Sequence, residues 1–246
     1  MNTIPENQFA PSKIPYWEKI ASETRWGQYI DAIEKRNILR ASELCQQKQR
    51  VLEIGCEGGK WLKLLSSQGF DTLIGTDIDS AAISLCQQRL PQAQCLLVNL
   101  DDTRLPCDDQ SVDLMLVMEI MPVIHSDWFY REAQRTLRPG GIVVGVVTNK
   151  YSVRALLYEL FIRPRKRDEE YQRLYRTMYS KSYRYWKRMF VDHDFVVLHE
   201  EGYCWFPFPR TSSSVAIPVA TTLEKIFGLR KCVTFAPWIN FIVQKT

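Results

Sequence analysis

Arg50-Val51-Leu52-Glu53-Ile54 is a short apolar run that closes on Gly55-Cys56-Glu57-Gly58-Gly59, after which Trp61, Leu62, Leu64 and Leu65 resume helical spacing. A strand that turns directly into a helix through glycines restricts the fold sharply. The backbone there approaches a ligand closely, and the free N–H groups of the helix's first turn point at it. Standing alone, such a turn also serves simply to relieve strain between two elements. A second feature gives it weight: the next apolar run, Thr72-Leu73-Ile74-Gly75-Thr76, ends at Asp77, 22 residues past Gly55. A carboxylate at that point accepts both hydrogen bonds of a ribose diol. An acid at a strand end otherwise caps a helix, and Asp79 before Ser80 is better placed for that role.

The alternation continues. Ser80 to Leu90 reads as a helix ended by Pro91, Gln94 to Val98 as a third strand, and Val112 to Met118 as a fourth. Trp128 to Leu137 is helical and stops at the turn Arg138-Pro139-Gly140-Gly141; Ile142 to Val147 follows as a β-branched strand suited to the middle of a parallel sheet. Strand and helix alternating in this way define an open α/β sheet with helices on both faces and a ligand at the carboxyl ends of the strands. Asn99-Leu100-Asp101-Asp102 falls at the same edge, which favours a polar cluster bonding the exocyclic amine of an adenine over a merely solvated turn.

Before this unit, residues 16–47 carry Trp17, Ile20, Trp26, Tyr29, Ile30, Ile33 and Leu39 at helical spacing, with Gly27 the expected break between two helices. After it, Tyr151 to Phe190 is aromatic, basic and helical. Phe195 to Glu201 returns as a strand, a Pro-, Ser- and Thr-rich loop runs from Pro207 to Pro218, and a short helix near Thr222 to Phe227 precedes a last strand near Ile239 to Val243.

These motifs resemble the class I S-adenosylmethionine-dependent methyltransferases, in the large group that acts on small molecules and lipids. Leu105-Pro106-Cys107-Asp108-Asp109-Gln110-Ser111-Val112-Asp113 is similar to that group's L-P-F-P-D-x-S-F-D segment, and Leu137-Arg138-Pro139-Gly140-Gly141 to its L-K-P-G-G turn. The resemblance covers residues 50–147. It implies a Rossmann-like, doubly wound sheet of seven strands with the last antiparallel, and a helical cap inserted between strands five and six. The chain is then one domain, with N-terminal helices (1–48), a cofactor-binding half (49–149), the cap (150–192) and C-terminal strands with a substrate-side loop (193–246).

By the same resemblance the cofactor is S-adenosylmethionine, its product S-adenosylhomocysteine, and no metal is expected. Glu53, Gly55 and Gly59, with Cys56 and Glu57 in the same turn, frame the methionine part. Asp77 holds the ribose, Ile78 packs on the adenine, Asp101 and Asp102 sit at its edge, and Met118 and Glu119 face the sulfonium. Two positions depart from the pattern: Glu57 replaces the central glycine of G-x-G-x-G, and Val123 stands where a histidine is common, with His125 two residues later. A dinucleotide fingerprint fits worse, because its third glycine is Lys60 here.

Seven cysteines, odd in number and scattered, with no C-x-x-C pair, read as reduced thiols. The first residues lack the apolar run of a secretory signal and no stretch is long enough for a membrane span, so the expected location is cytoplasmic. The formal charge of +4 says little, but Lys150 to Phe190 carries twelve Lys/Arg against four Asp/Glu. There Tyr171, Leu174, Tyr175, Met178 and Tyr179 form one helical stripe behind Arg163, Arg165, Lys166 and Arg167. The segment reads either as a cap packed on the core or as a lid drawing an anionic substrate, a phospholipid surface or nucleic acid. The expected substrate is a small molecule or lipid, with peripheral membrane contact through the loop Trp205-Phe206-Pro207-Phe208-Pro209 as one option. Nucleic acid is the less favoured partner, since no RNA-binding module and no N-P-P-Y or D-P-P-Y tetrapeptide is present. Two rivals remain open: an RNA methyltransferase using residues 150–190, and a cofactor-binding protein that has lost catalysis. His125, Glu119 and the lid tyrosines are candidates for a base by location alone, so no catalytic residue is assigned; the oligomeric state is not legible.

Overall fold

The structure, a computed structural model, describes residues 15–162 and 169–246. Helices α1 (Tyr16–Glu23) and α2 (Arg25–Leu44) lead into β1 (Arg50–Ile54), α3 (Lys60–Ser66), β2 (Thr72–Asp77), α4 (Ser80–Arg89), β3 (Gln94–Leu97) and β4 (Val112–Val117). A single turn, α5 (Met121–Ile124), precedes α6 (Asp127–Thr136) and β5 (Leu137–Thr148). Then come α7 (Val153–Leu157), α8 (Glu169–Met178), α9 (Tyr183–Val191), β6 (Phe195–Tyr203), α10 (Ile217–Ile226) and β7 (Trp238–Lys245).

The strands form one sheet in the order β3-β2-β1-β4-β5-β7-β6, with β7 antiparallel to both of its neighbours. The order reverses between β1 and β4, so the carboxyl ends of those two strands flank a crevice. β4 is buried along its whole length, and so is β5 from Gly141 on; both are rich in the β-branched and aliphatic residues that a sheet covered on two faces demands. One face packs Ile38 and Ala41 of α2, Leu62 and Leu65 of α3 and Cys86 of α4 on Val51, Leu114, Leu116 and Val144. The other packs Phe129, Tyr130 and Ala133 of α6 and Trp186 and Phe190 of α9 on Leu52, Met115, Val143 and Phe241.

Two local expectations are corrected. Arg138-Pro139-Gly140-Gly141 is not a turn between helix and strand. β5 already begins at Leu137 opposite Val112, and the next paired residue is Ile142 opposite Leu114, so these four residues bulge out against Asp113 alone. Asp113 holds the bulge: one carboxylate oxygen accepts from the amides of Gln49 and Arg50 at 2.9 and 2.8 Å, the other from Arg138 at 2.9 Å. Nor does the N-terminal helix break at Gly27. It breaks at Thr24, which is extended and accepts the Gly27 amide on its hydroxyl, as N-caps do.

Gly27 matters for a different reason. A Cβ there would lie 2.2 Å from the carbonyl oxygen of Ile20, so the missing side chain lets α1 fold back on α2. Helix propensity alone makes Gly27→Ala stabilising by about 1 kcal/mol. Overlap with a backbone atom cannot be relieved by a rotamer change, so the substitution is expected instead to cost on the order of 1–3 kcal/mol, read as a lower melting temperature.

Candidate functional site

The carboxyl ends of β1 and β2 meet through one side chain. Asp77 accepts the Glu57 amide on one oxygen at 2.9 Å and the Asp79 amide on the other at 3.0 Å, while the amides of Gly55 and Cys56 donate to the Thr76 carbonyl at 2.7 and 2.9 Å. Gly55 and Gly59 have φ of +70° and +74°, and Glu57 shares that left-handed backbone at +47°. Asp79, as expected, caps α4 by accepting the Ala81 amide at 2.8 Å.

The other predicted positions divide. Glu53 is buried below the turn and accepts the Leu62 amide at 3.2 Å, so it anchors the first turn of α3 from beneath. Cys56 is buried with its sulfur against Gly75, leaving only its backbone at the turn. Gly55 lies directly under Ile120, from the segment after β4. Ile78, next to Asp77 in the chain, is 56% exposed, and Leu100, just past the end of the neighbouring β3, is 69% exposed. Asp101 is exposed next to them, whereas Asp102 turns back to accept the amide of Asn99 at 2.8 Å and closes its own loop. Met118 is half-buried between the two cores.

Glu119 lies at the centre of a polar group that no local pattern announces. Its backbone is left-handed, with φ of +58°, and its carboxylate pairs with Arg210 at 3.1 Å. The Arg210 guanidinium is sandwiched between the indoles of Trp17, 4.1 Å away, and Trp238, 4.6 Å away. Glu34, buried on α2, receives the Tyr203 hydroxyl at 3.2 Å. Burial first, and then the Glu119 carboxyl hydrogen-bonded beside it, hold Glu34 well above the usual carboxylate range. Lys60 at the start of α3 pairs with Asp31 of α2. The charges named here are therefore balanced: Glu119 pairs with Arg210 and Asp31 with Lys60, while Glu34 is held toward its neutral form.

Helix α1 is strapped across the glycine turn. Arg89 donates to Glu18 at 2.6 Å and to the Gly58 carbonyl at 3.3 Å, and Pro15 lies against Gly58. The Glu57 side chain reaches the Trp17 backbone. Burial and the neighbouring Glu18 raise its carboxyl from 4.5 to about 7. His125 bonds Ser180 at 3.1 Å through Nδ1, and burial, then Lys181, push it down to about 4, leaving it neutral. A cavity of about 460 Å³ beside Arg50, Gln94 and Arg104 shares no residue with this site and opens near the first residues of β1 and β3.

Of the lid stripe, Tyr175 stacks on Tyr179 at 4.5 Å and on Tyr158 at 3.4 Å, and the buried Tyr179 accepts the Trp238 indole N–H at 3.3 Å. The side chains of Tyr171 and Leu174, and the basic run Arg163, Arg165, Lys166 and Arg167, lie outside the described residues. The loop 205–209 does not project as a membrane finger. Phe208 packs on Trp26 at 5.2 Å, and Trp205 and Phe208 both close the edge of the core.

Residues 52–145 match a family model described as a methyltransferase domain. The chain is 35% identical over 98 residues to phthiotriol/phenolphthiotriol dimycocerosates methyltransferase 1 of Mycobacterium ulcerans (strain Agy99), covering 39% of this chain and 36% of that one. It is 32% identical over 103 residues to the phthiotriol/phenolphthiotriol dimycocerosates methyltransferase of Mycobacterium leprae (strain TN), covering 41% and 38%. The chain thus spans well under half the length of these relatives. Among solved structures, geranyl diphosphate C-methyltransferase from Streptomyces coelicolor A3(2), with Mg2+, geranyl diphosphate and S-adenosyl-L-homocysteine, superposes with a TM-score of 0.61 at 15% identity, covering 96% of this chain and 86% of that one. A geranyl diphosphate methyltransferase in complex with SAM gives 0.59 at 15%, covering 92% and 91%. Residues 52–145 are thus similar to a methyltransferase domain, and the sheet has the fold of the solved methyltransferases.

The raised Glu57 carboxyl has a signed consequence. Between about pH 4.5 and 7 the folded chain binds more protons at this group than the unfolded chain, so its contribution to stability falls as pH rises through that window. Glu57→Gln removes the penalty. It is expected to raise stability at pH 8 by about 1 kcal/mol, after allowance for solvent screening of a half-buried group, and to have little effect at pH 4; melting curves at the two pH values check this.

Proposed function

We propose that this chain is an S-adenosylmethionine-dependent methyltransferase whose acceptor is a small molecule or lipid. The observation that carries the reading is the junction of the glycine turn and Asp77. Two backbone N–H groups occupy one lone pair on each Asp77 oxygen, fix the carboxylate at the crevice, and leave its remaining lone pairs for a ribose diol. The exposed Ile78 and Leu100 supply an apolar bed for the adenine, and the buried carboxyls of Glu53 and Glu34, held above their usual range, would recover charge beside a ligand with a sulfonium and an ammonium.

When bound, S-adenosylmethionine supplies an electrophilic methyl group. The chain's own residues act by positioning. Asp77 holds the ribose, the turn 55–59 presents its backbone to the methionine part, and α1 with Trp17 excludes water from above. Met118 and Glu119 stand at the β4 end, where an acceptor would meet the methyl carbon. The lipid side of the reading draws support from the dimycocerosate methyltransferases to which residues of this half are similar.

Calorimetry with S-adenosylmethionine and with S-adenosylhomocysteine tests the cofactor, and absence of heat with either would end the reading. Asp77→Ala is expected to weaken binding by on the order of 1–3 kcal/mol, because hydrogen bonds to a charged group are lost; unchanged affinity would remove Asp77 from the site. Transfer of a radiolabelled methyl group into fractionated cell extract is expected to label a lipid or small-molecule fraction and to leave bulk RNA unlabelled.

A further inference from the structure

The segment after β5 is built inside out. Val153, Leu156, Leu157, Leu160 and Phe161 recur at the three-and-four spacing of a helical stripe, a pattern that normally marks the face turned to the core. Here that stripe faces outward: the five are 43%, 58%, 39%, 58% and 54% exposed. The core-facing side is instead made by Ser152, Ala155 and Tyr158, all buried. Val153–Leu157 is α-helical and Tyr158–Ile162 continues as a π-helical turn, so both faces of one continuous helical run are apolar. Scattered surface leucines need no explanation, but a contiguous aliphatic stripe on one run does.

We propose that this stripe docks the protein on an anionic lipid bilayer. Charge selects the occupant. From Lys150 to Arg176 the sequence carries eight cations and four acids, and Arg173 and Arg176 are exposed on α8, whose Tyr175 stacks on Tyr158 of the stripe's own helix. An apolar stripe flanked by cations suits the boundary between acyl chains and anionic headgroups. A second copy of the chain would bring the same positive charge against itself. RNA would meet mostly aliphatic side chains where stacking calls for aromatic ones.

The docking is independent of methyl transfer, and it has a reachable destination. Tyr158 leads through Tyr175 and Tyr179 to Trp238, which stacks on Arg210 at the candidate site, so the bilayer-facing stripe and the crevice are joined by one aromatic row.

The test is co-sedimentation of the full chain, without cofactor, with vesicles of equimolar phosphatidylglycerol and phosphatidylcholine and with vesicles of phosphatidylcholine alone. The wild type is expected to sediment with the anionic vesicles and to be released by high salt. Leu156→Asp combined with Leu160→Asp is expected to lower the bound fraction roughly tenfold with the melting temperature unchanged, since both side chains are exposed. Hydrogen exchange is expected to slow on vesicle addition across residues 150–162. Equal binding to both vesicle types, undiminished binding by the double variant, or no binding by the wild type would overturn the proposal. So would a dimer that the double variant dissolves, or an RNA mobility shift that it abolishes while vesicle binding persists. Because the readout needs no cofactor, its failure leaves the methyltransferase reading standing, and the reverse also holds.

Discussion

The Asp77 carboxylate is the contact on which the rest of the candidate site depends. It is one side chain at the end of β2, yet it fixes the backbone of the turn after β1 and of the entry to α4. Glu57 adopts a left-handed conformation that costs a residue with a side chain about 1–2 kcal/mol, and its amide is held there by the Asp77 oxygen. Glycine at that position would remove the strain. It would also remove the carboxyl that reaches the backbone of α1, so the departure from G-x-G-x-G couples the turn to the helix strapped above it.

A second layer of buried charge organises the underside of α2. Glu201 of β6 accepts from Arg36 at 2.5 Å and from Asn37 at 3.0 Å, and Arg230 approaches it at 3.4 Å; burial opposes this ionisation, but those donors hold the carboxyl below its usual range. Further along the same helix, Glu34 and Glu119 share one environment with Tyr203 and Arg210. Ion pairs with a buried carboxylate contribute less to net stability than to uniqueness of arrangement, since removing the cation strands the acid. Their effect here is positional: α2 is pinned to β6, and β6 brings Cys204, in left-handed backbone at φ +61°, to the same edge as Glu57 and Glu119.

Much of this is legible in the sequence, for a physical reason. The glycine turn, Asp77, the Asp79 cap and the alternation of strands and helices are local patterns, set by periodicity and by neighbours a few residues apart. What the sequence hides is produced by distant pairings. Nothing near Arg210 announces Trp17, Trp238 or Glu119, which come from three other elements. Glu34 leaves a faint trace as an acid on the buried stripe of α2. Gly27 and Arg138 to Gly141 mislead because glycine marks both turns and close approaches, and only the partner across the gap tells them apart. The loop 205–209 and the stripe 153–161 mislead together: hydropathy says which residues are apolar, and only the fold says which of them are buried.

The insertion of β7 sets the order in which the sheet can be completed. β6 precedes it in the chain but touches the sheet only through it, so β6 has no edge to pair with until β7 has slotted against β5. Trp238, which supports both Arg210 and Tyr179, rides on that late strand. The nucleotide-side half, β1 to β5, can therefore assemble first from near neighbours, whereas the acceptor side closes only when the far end of the chain returns to the middle of the sheet.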